Sequence, residues 1–212
     1  MTSPITPTPR TSVLASLRSL TPHVRTDFAD ATMLAERQAN RLHELIPGRL
    51  DERSLAALPR LHIVHEPLPT SGLSYWNGQT WIIAINEDDN PARQRFTLLH
   101  EFKHIIDHGT AYQLYRSQWE TERAADYFAA CALMPKPELK RVFCTITQKI
   151  PALAAYFGAS PRAVRYRLEQ TGLVDPPVFT RARCARPIST PWHEEQQFRA
   201  VAPLTSYART KA

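Results

Sequence analysis

The chain has 212 residues, 43% hydrophobic and 22% charged, which fits one or two small globular domains and excludes wholesale disorder. Its net charge of +6 is uneven: residues 1–144 balance 16 basic against 16 acidic side chains, whereas residues 145–212 carry 10 against 4, and eight of those ten are arginines. No apolar run approaches the ~18–20 residues of a membrane helix. The N-terminus lacks an apolar signal core, and Cys131, Cys144 and Cys184 form no Cys-x-x-Cys pair, so a cytoplasmic protein without membrane contact or disulfides is expected.

Residues 1–25, with three prolines in the first nine positions, read as a flexible lead-in. Apolar residues at helical spacing from Phe28 to Ile46 predict a helix over 27–46, stopped by Pro47-Gly48, and a short helix near 51–58 follows. A β region comes next. One strand lies within Arg60–Glu66, and two more flank Asn77-Gly78, a pair that predicts a tight hairpin because both turn residues would take positive φ. The strand over 80–85 reads as an interior strand, or alternatively as an edge that aligns an extended peptide. Trp76 and Trp81 are expected to pack the hairpin, and Cys131 to be a small core residue.

Asn90-Pro91 opens a predicted helix over 91–108 that Gly109 ends. Ser117-Gln-Trp-Glu120 matches a capping box and opens an Ala-rich helix to Met134. A third helical region over 138–172 is split by Pro151 and Gly158.

The first of these helices carries His100-Glu101-Phe102-Lys103-His104. Histidines four apart share a helical face and can reach one zinc ion, and the intervening Glu101 is placed to act as general base on a water. A third protein ligand is needed. His108 lies about 12 Å along the axis from His100, too far for the same ion. A metzincin would need Gly at 107 and His at 110, where the chain has Asp107 and Thr110. The Ala-rich helix offers Glu122 as the ligand and, one turn on, Asp126 to accept a hydrogen bond from a ligand imidazole. Glu120 competes with Glu122 but has the capping role. Tyr112, Tyr115 and Arg123 are candidates to stabilise an oxyanion, and the sequence does not choose among them.

The run Arg95-Phe-Thr-Leu-Leu-His-Glu-Phe-Lys-His-Ile-Ile-Asp-His108, with Glu122-Arg-Ala-Ala-Asp-Tyr-Phe-Ala-Ala130 and Leu133-Met-Pro135, resembles the ImmA/IrrE metallopeptidases, zincins of the gluzincin type. The resemblance covers roughly residues 27–172. Asp126 stands where asparagine is usual, and Phe102-Lys103 replaces a commoner aliphatic-glycine pair. It implies an α+β fold: a zincin-like minimal peptidase core over 26–144, with a small sheet packed on the HExxH helix and the glutamate-bearing helix. It also implies a Zn2+-dependent endopeptidase that cleaves an XRE-type helix-turn-helix repressor and so relieves repression.

Residues 145–172 follow helix-turn-helix grammar. Ala154 sits at the helix contact and Gly158 at the turn, Ser160-Pro161 opens the second helix, and Val164 and Leu168 face inward. Arg162, Arg165, Tyr166 and Arg167 are then left for DNA phosphate. The competing expectation is that this helical pair packs on the core or grips the protein substrate. Residues 173–212, a Pro/Arg-rich tail with aromatics at Phe179, Trp192, Phe198 and Tyr207, are expected to be poorly ordered or to fold on a partner. Two rival functions remain: a DNA-binding regulator with a structural metal site, and an antitoxin-like interaction protein.

Overall fold

The computed structural model describes residues 12–24 and 27–175. Among them it is a mixed α+β structure with nine helices and a three-stranded sheet. Residues 176–212 of the expected tail over 173–212, and residues 1–11 and 25 of the expected lead-in, lie outside the described residues. The rest of the lead-in differs from expectation. Val13–Arg18 forms helix α1, capped by Ser12, and Leu17 is fully buried. Arg18 anchors it by donating to the carbonyls of Ile105 and Ile106 (2.7 and 3.2 Å). A six-residue helix carries too little periodicity to be read from sequence; its order comes from tertiary contacts.

Helix α2 spans Phe28–Leu45 behind the N-cap Asp27, and α3 spans Glu52–Ala56 behind a capping box from Asp51. The strands are β1 (Leu61–Glu66), β2 (Gly72–Trp76) and β3 (Trp81–Asn86), in the order β1-β3-β2. β1 runs parallel and β2 antiparallel to β3. The 80–85 segment is therefore the central strand, buried at Ile83, Ala84 and Ile85, and the edge role falls to β2. The loop from β1 to β2 passes β3 and is pinned by Asn86, whose side chain bonds both the N–H and the carbonyl of Leu68. The hairpin turn is longer than predicted. Trp76 pairs with Trp81 and four residues connect them; Gly78 alone among these takes a positive φ, while the Asn77 side chain accepts from the N–H groups of Gln79 and Thr80.

Helix α4 (Pro91–Asp107) starts at the N-cap Asn90 and lies across the sheet. The short α5 (Ala111–Leu114) precedes α6 (Gln118–Leu133). α6 is sandwiched between α2 and α4 and buries Ala124, Ala125, Ala129, Ala130 and Ala132, small side chains that let both neighbours approach closely. α7 (Lys136–Thr145), α8 (Ile150–Phe157) and α9 (Pro161–Thr171) follow. Pro137 and Pro151 do not break helices; each sits in a first turn, where no N–H partner is lost. Gly158 (φ 59°) closes α8 in the left-handed conformation.

α8 and α9 belong to the same compact unit as the sheet and α4, a unit that extends through Leu173. This requires one correction. Arg167, expected to face solvent with Arg162 and Arg165, is 1% exposed. It shares the inward stripe of α9 with Val164 and Leu168, donates to the carbonyl of Met134 (3.2 Å) at the end of α6 and pairs with Glu36 of α2 (3.0 Å). Its guanidinium also stacks over Tyr127. An arginine can be buried there because the carbonyl, the carboxylate and the ring meet its donors and its flat face. Arg162, Arg165 and Tyr166 are exposed.

Candidate metal centre and cleft

The expected site residues converge where α4 meets α6. The Nε2 atoms of His100 and His104 lie 3.1 Å apart, and Glu122 places one carboxylate oxygen 3.2 Å from His100 Nε2 and the other 3.7 Å from His104 Nε2. Donors about 2 Å from a single tetrahedral zinc stand roughly 3.3 Å from one another, so the His/His/Glu set fits such an ion. One ligand atom from each of the three residues lies within 4.8 Å of the other two, so together they could hold a metal. The spacing in sequence explains the placement: one helical turn separates the histidines, and the close α4–α6 packing brings the carboxylate across to them.

Asp126, one turn beyond Glu122, takes the back of the first imidazole: its Oδ1 is 3.0 Å from His100 Nδ1. With Nδ1 as donor, the Nε2 lone pair faces the other two ligand atoms. Burial draws the His100 pKa down, but the Asp126 hydrogen bond and the charges of Asp126, Glu101 and Glu122 outweigh it, and the net shift is upward. His104 is shifted downward, first by burial and then by the neighbouring His100.

Glu101 is 8% exposed, and its carboxylate accepts a hydrogen bond from the Ser74 hydroxyl of β2 (2.8 Å). Glu120 lies apart from the cluster. Its carboxylate accepts from the N–H of Arg116 (2.7 Å) rather than of Ser117, a variant of the expected capping box. His108 ends α4 and packs its ring on Trp81, 4.8 Å between centroids. Lys103 is completely buried on the opposite side of α4, donating to Gln38 (2.8 Å) and Asp107 (2.6 Å), and Tyr115 donates to the other oxygen of Asp107 (2.6 Å). This internal network ties α4 to α2 and to the segment before α6.

An open cleft of about 610 Å³ exposes the cluster. α4 forms one wall through Arg93, Phe96 and Thr97, and the edge strand β2 forms another, with Gln118 at the α6 end. None of the three oxyanion candidates lines it. Tyr115 is buried on Asp107, Tyr112 points to solvent, and Arg123 is stacked on Trp119 and Tyr166 and donates to the Tyr166 hydroxyl. Sequence reading missed Ser74, Arg93 and Gln118. The first lies in a five-residue strand, and no spacing ties it to a motif 26 residues later.

A buried carboxylate thus lies beside convergent nitrogen and oxygen donors, open to an extended cleft, and the family model that matches the chain is one of the peptidase families. The match spans residues 60–169, from β1 into α9, more than half of the sequence. The chain belongs to the family described as the IrrE N-terminal-like domain. No curated protein matches it. Among solved structures it is similar to a Mycobacterium tuberculosis transcriptional regulator, at 19% identity and a TM-score of 0.49, over 74% of this chain and 51% of that one. The chain thus spans about half the length of that neighbour. Among the described residues no helix is long and apolar enough to cross a membrane.

Proposed function

We propose that this chain is a cytoplasmic zinc endopeptidase with a zincin-like core, holding its ion through His100, His104 and Glu122. The observation that carries the reading is the convergence of those three side chains, with one ligand atom from each lying within 4.8 Å of the others and the buried carboxylate of Glu101 in the same cleft. A bound zinc ion supplies Lewis acidity, lowering the pKa of water and polarising a peptide carbonyl. Glu101 takes the proton of the attacking water and returns it to the departing amine. Asp126 holds the His100 ring in the tautomer that directs Nε2 at the metal. Among the described residues β2 is an edge strand, and its outward backbone groups beyond the Gly72 carbonyl, which accepts from Thr70, are placed to pair with an extended segment of substrate.

The substrate we propose is a cognate XRE-type helix-turn-helix repressor whose cleavage lifts repression; this rests on the family resemblance. The test is incubation of the zinc-loaded chain with the purified repressor encoded beside it, in parallel with Glu101→Gln. The expected result is one or two discrete fragments from wild type, stopped by a chelator, and none from the variant, which retains its zinc. Equal cleavage by the variant, or loss of zinc from it, would overturn the assignment of Glu101. An intact repressor would overturn the proposed substrate.

A second reading, DNA contact by the helical pair, is favoured by one observation. Arg162 and Arg165 are exposed on the N-terminal half of α9, the half that recognition helices present to bases. Salt-dependent, sequence-selective DNA binding lost in the double alanine variant would support it, and sequence-indifferent binding would remove it.

A further inference from the structure

We propose that Ser74 is a positioning residue for Glu101, and that Gly72 is what lets it serve. The inference rests on the peptidase reading and adds to it a residue outside every motif. Directly paired residues share a face of the sheet, so Gly72, Ser74 and Trp76 of β2 lie on the same side as Ile85, Ile83 and Trp81 of β3. That side is covered by α4. Two residues of strand advance about 6.6 Å and four residues of helix about 6 Å, so the two rows stay nearly in step. Gly72 meets Thr97 and Ser74 meets Glu101, while Trp76 and Ile105 border one further pocket.

The approach at Gly72 leaves no room for a Cβ unless its neighbours shift. A Cβ there would collide with the Thr97 methyl and lie 2.9 Å from the Ala84 carbonyl oxygen. The missing side chain lowers β2 onto α4 and brings the Ser74 Oγ to 2.8 Å from Glu101 Oε2. Among the described residues this is the hydrogen bond that the Glu101 carboxylate makes. A glutamate has three side-chain torsions, and a base that wanders loses rate. The hydroxyl fixes one oxygen, Oε2, and leaves Oε1 to carry the proton. Because Ser74 lies on the edge strand, the same strand would line up the peptide and aim the base at it.

The test uses the full chain with Ser74→Ala, Ser74→Cys, Glu101→Ala and the Ser74→Ala/Glu101→Ala pair. In the metal-free protein, calorimetry measures unfolding midpoints. The inference predicts that Ser74→Ala lowers the midpoint more when Glu101 is intact than in the Glu101→Ala background, where the main-chain carbonyl of residue 101, 3.4 Å from Oγ, remains; additive effects overturn it. In the zinc-loaded protein, a quenched fluorescent peptide selected from a library for cleavage by wild type gives steady-state constants. Ser74→Ala and the isosteric Ser74→Cys, a weak donor, are each expected to lower kcat about 10- to 100-fold with KM and zinc content unchanged. A wild-type kcat in Ser74→Ala overturns the inference. If wild type cleaves no peptide, the peptidase reading fails, and the metal-free cycle still decides the Ser74–Glu101 contact.

Discussion

Asp126 Oδ1 sits 3.0 Å from His100 Nδ1, on the side of the imidazole opposite the atom that faces Glu122. In the proposed metal site the carboxylate therefore acts on metal affinity through the ring. Asp126→Ala is expected to weaken zinc binding about 10- to 100-fold, measured by competition with a chromophoric chelator. Glu122→Ala, which deletes a proposed ligand, should lose more. An Asp126→Ala affinity equal to wild type would show that the ring is held by packing alone.

The sign of the pH dependence follows from His100. Its pKa is raised in the folded chain, net of a burial that lowers it, because of Asp126, Glu101 and Glu122. Without metal, this group's stabilisation is fully present below its unfolded pKa of about 6.5 and is lost as pH rises through the folded value. Zinc needs the deprotonated ring, so its binding competes with that proton. The rise in Tm produced by zinc over a chelator control should be larger at pH 8 than at pH 6. A rise independent of pH would exclude His100 as a ligand.

The arginines of α9 divide by position. Arg167→Met should cost about 3 kcal/mol in urea denaturation, since it removes the donor to the Met134 carbonyl and leaves Glu36 with the Tyr127 hydroxyl but no cation. Arg162→Ala and Arg165→Ala, at exposed positions, should each change stability by about 0.5 kcal/mol or less. Equal costs at all three would contradict the burial of Arg167.

Gly72→Ala should destabilise by roughly 1–3 kcal/mol, because the new methyl meets Thr97 and the backbone of β3. Adding Thr97→Ser removes one of the two clashes and should restore part of the loss. Full restoration would mean that the strand carbonyl gives way; no restoration would mean that it dominates.

The cysteines offer a chemical check on the core. Burial pushes the Cys131 thiol up to about 12, so it should stay unmodified by iodoacetamide at pH 8 until the chain is unfolded. Cys144 is exposed and should be alkylated in the native protein. Peptide mapping by mass spectrometry separates the two.

The legible parts of the site were those made by helical repetition. His100, Glu101 and His104 sit on one turn, Glu122 and Asp126 on another, and helix caps at Asn90 and Ser117 marked where the carrying helices begin. Contacts between elements far apart in sequence were not legible. Ser74 meets Glu101 only because β2 is the edge of a sheet whose order is β1-β3-β2, and local periodicity carries no information on strand order. Arg167 misled because charge suggests solvent, whereas its guanidinium finds partners at Met134, Glu36 and Tyr127, on two other helices. Turn length failed for a similar reason: Asn77-Gly78 announces a reversal, but the pairing of Trp76 with Trp81 decides how many residues lie within it.

The five residues of β2 make a wall about 17 Å long, and among the described residues no strand pairs with its outer side. For the peptidase proposed here, such a wall reads main chain more than side chains. A helix or a paired strand has already spent its amides and carbonyls on itself and has none to offer. Only a stretch that can be drawn out straight for several residues can dock, which spares folded domains and leaves linkers and frayed ends at risk. Selection would then be made by the victim's own folding equilibrium: whatever loosens a partner protein, such as release from DNA or from a second copy, would mark it for cutting without any change in the enzyme.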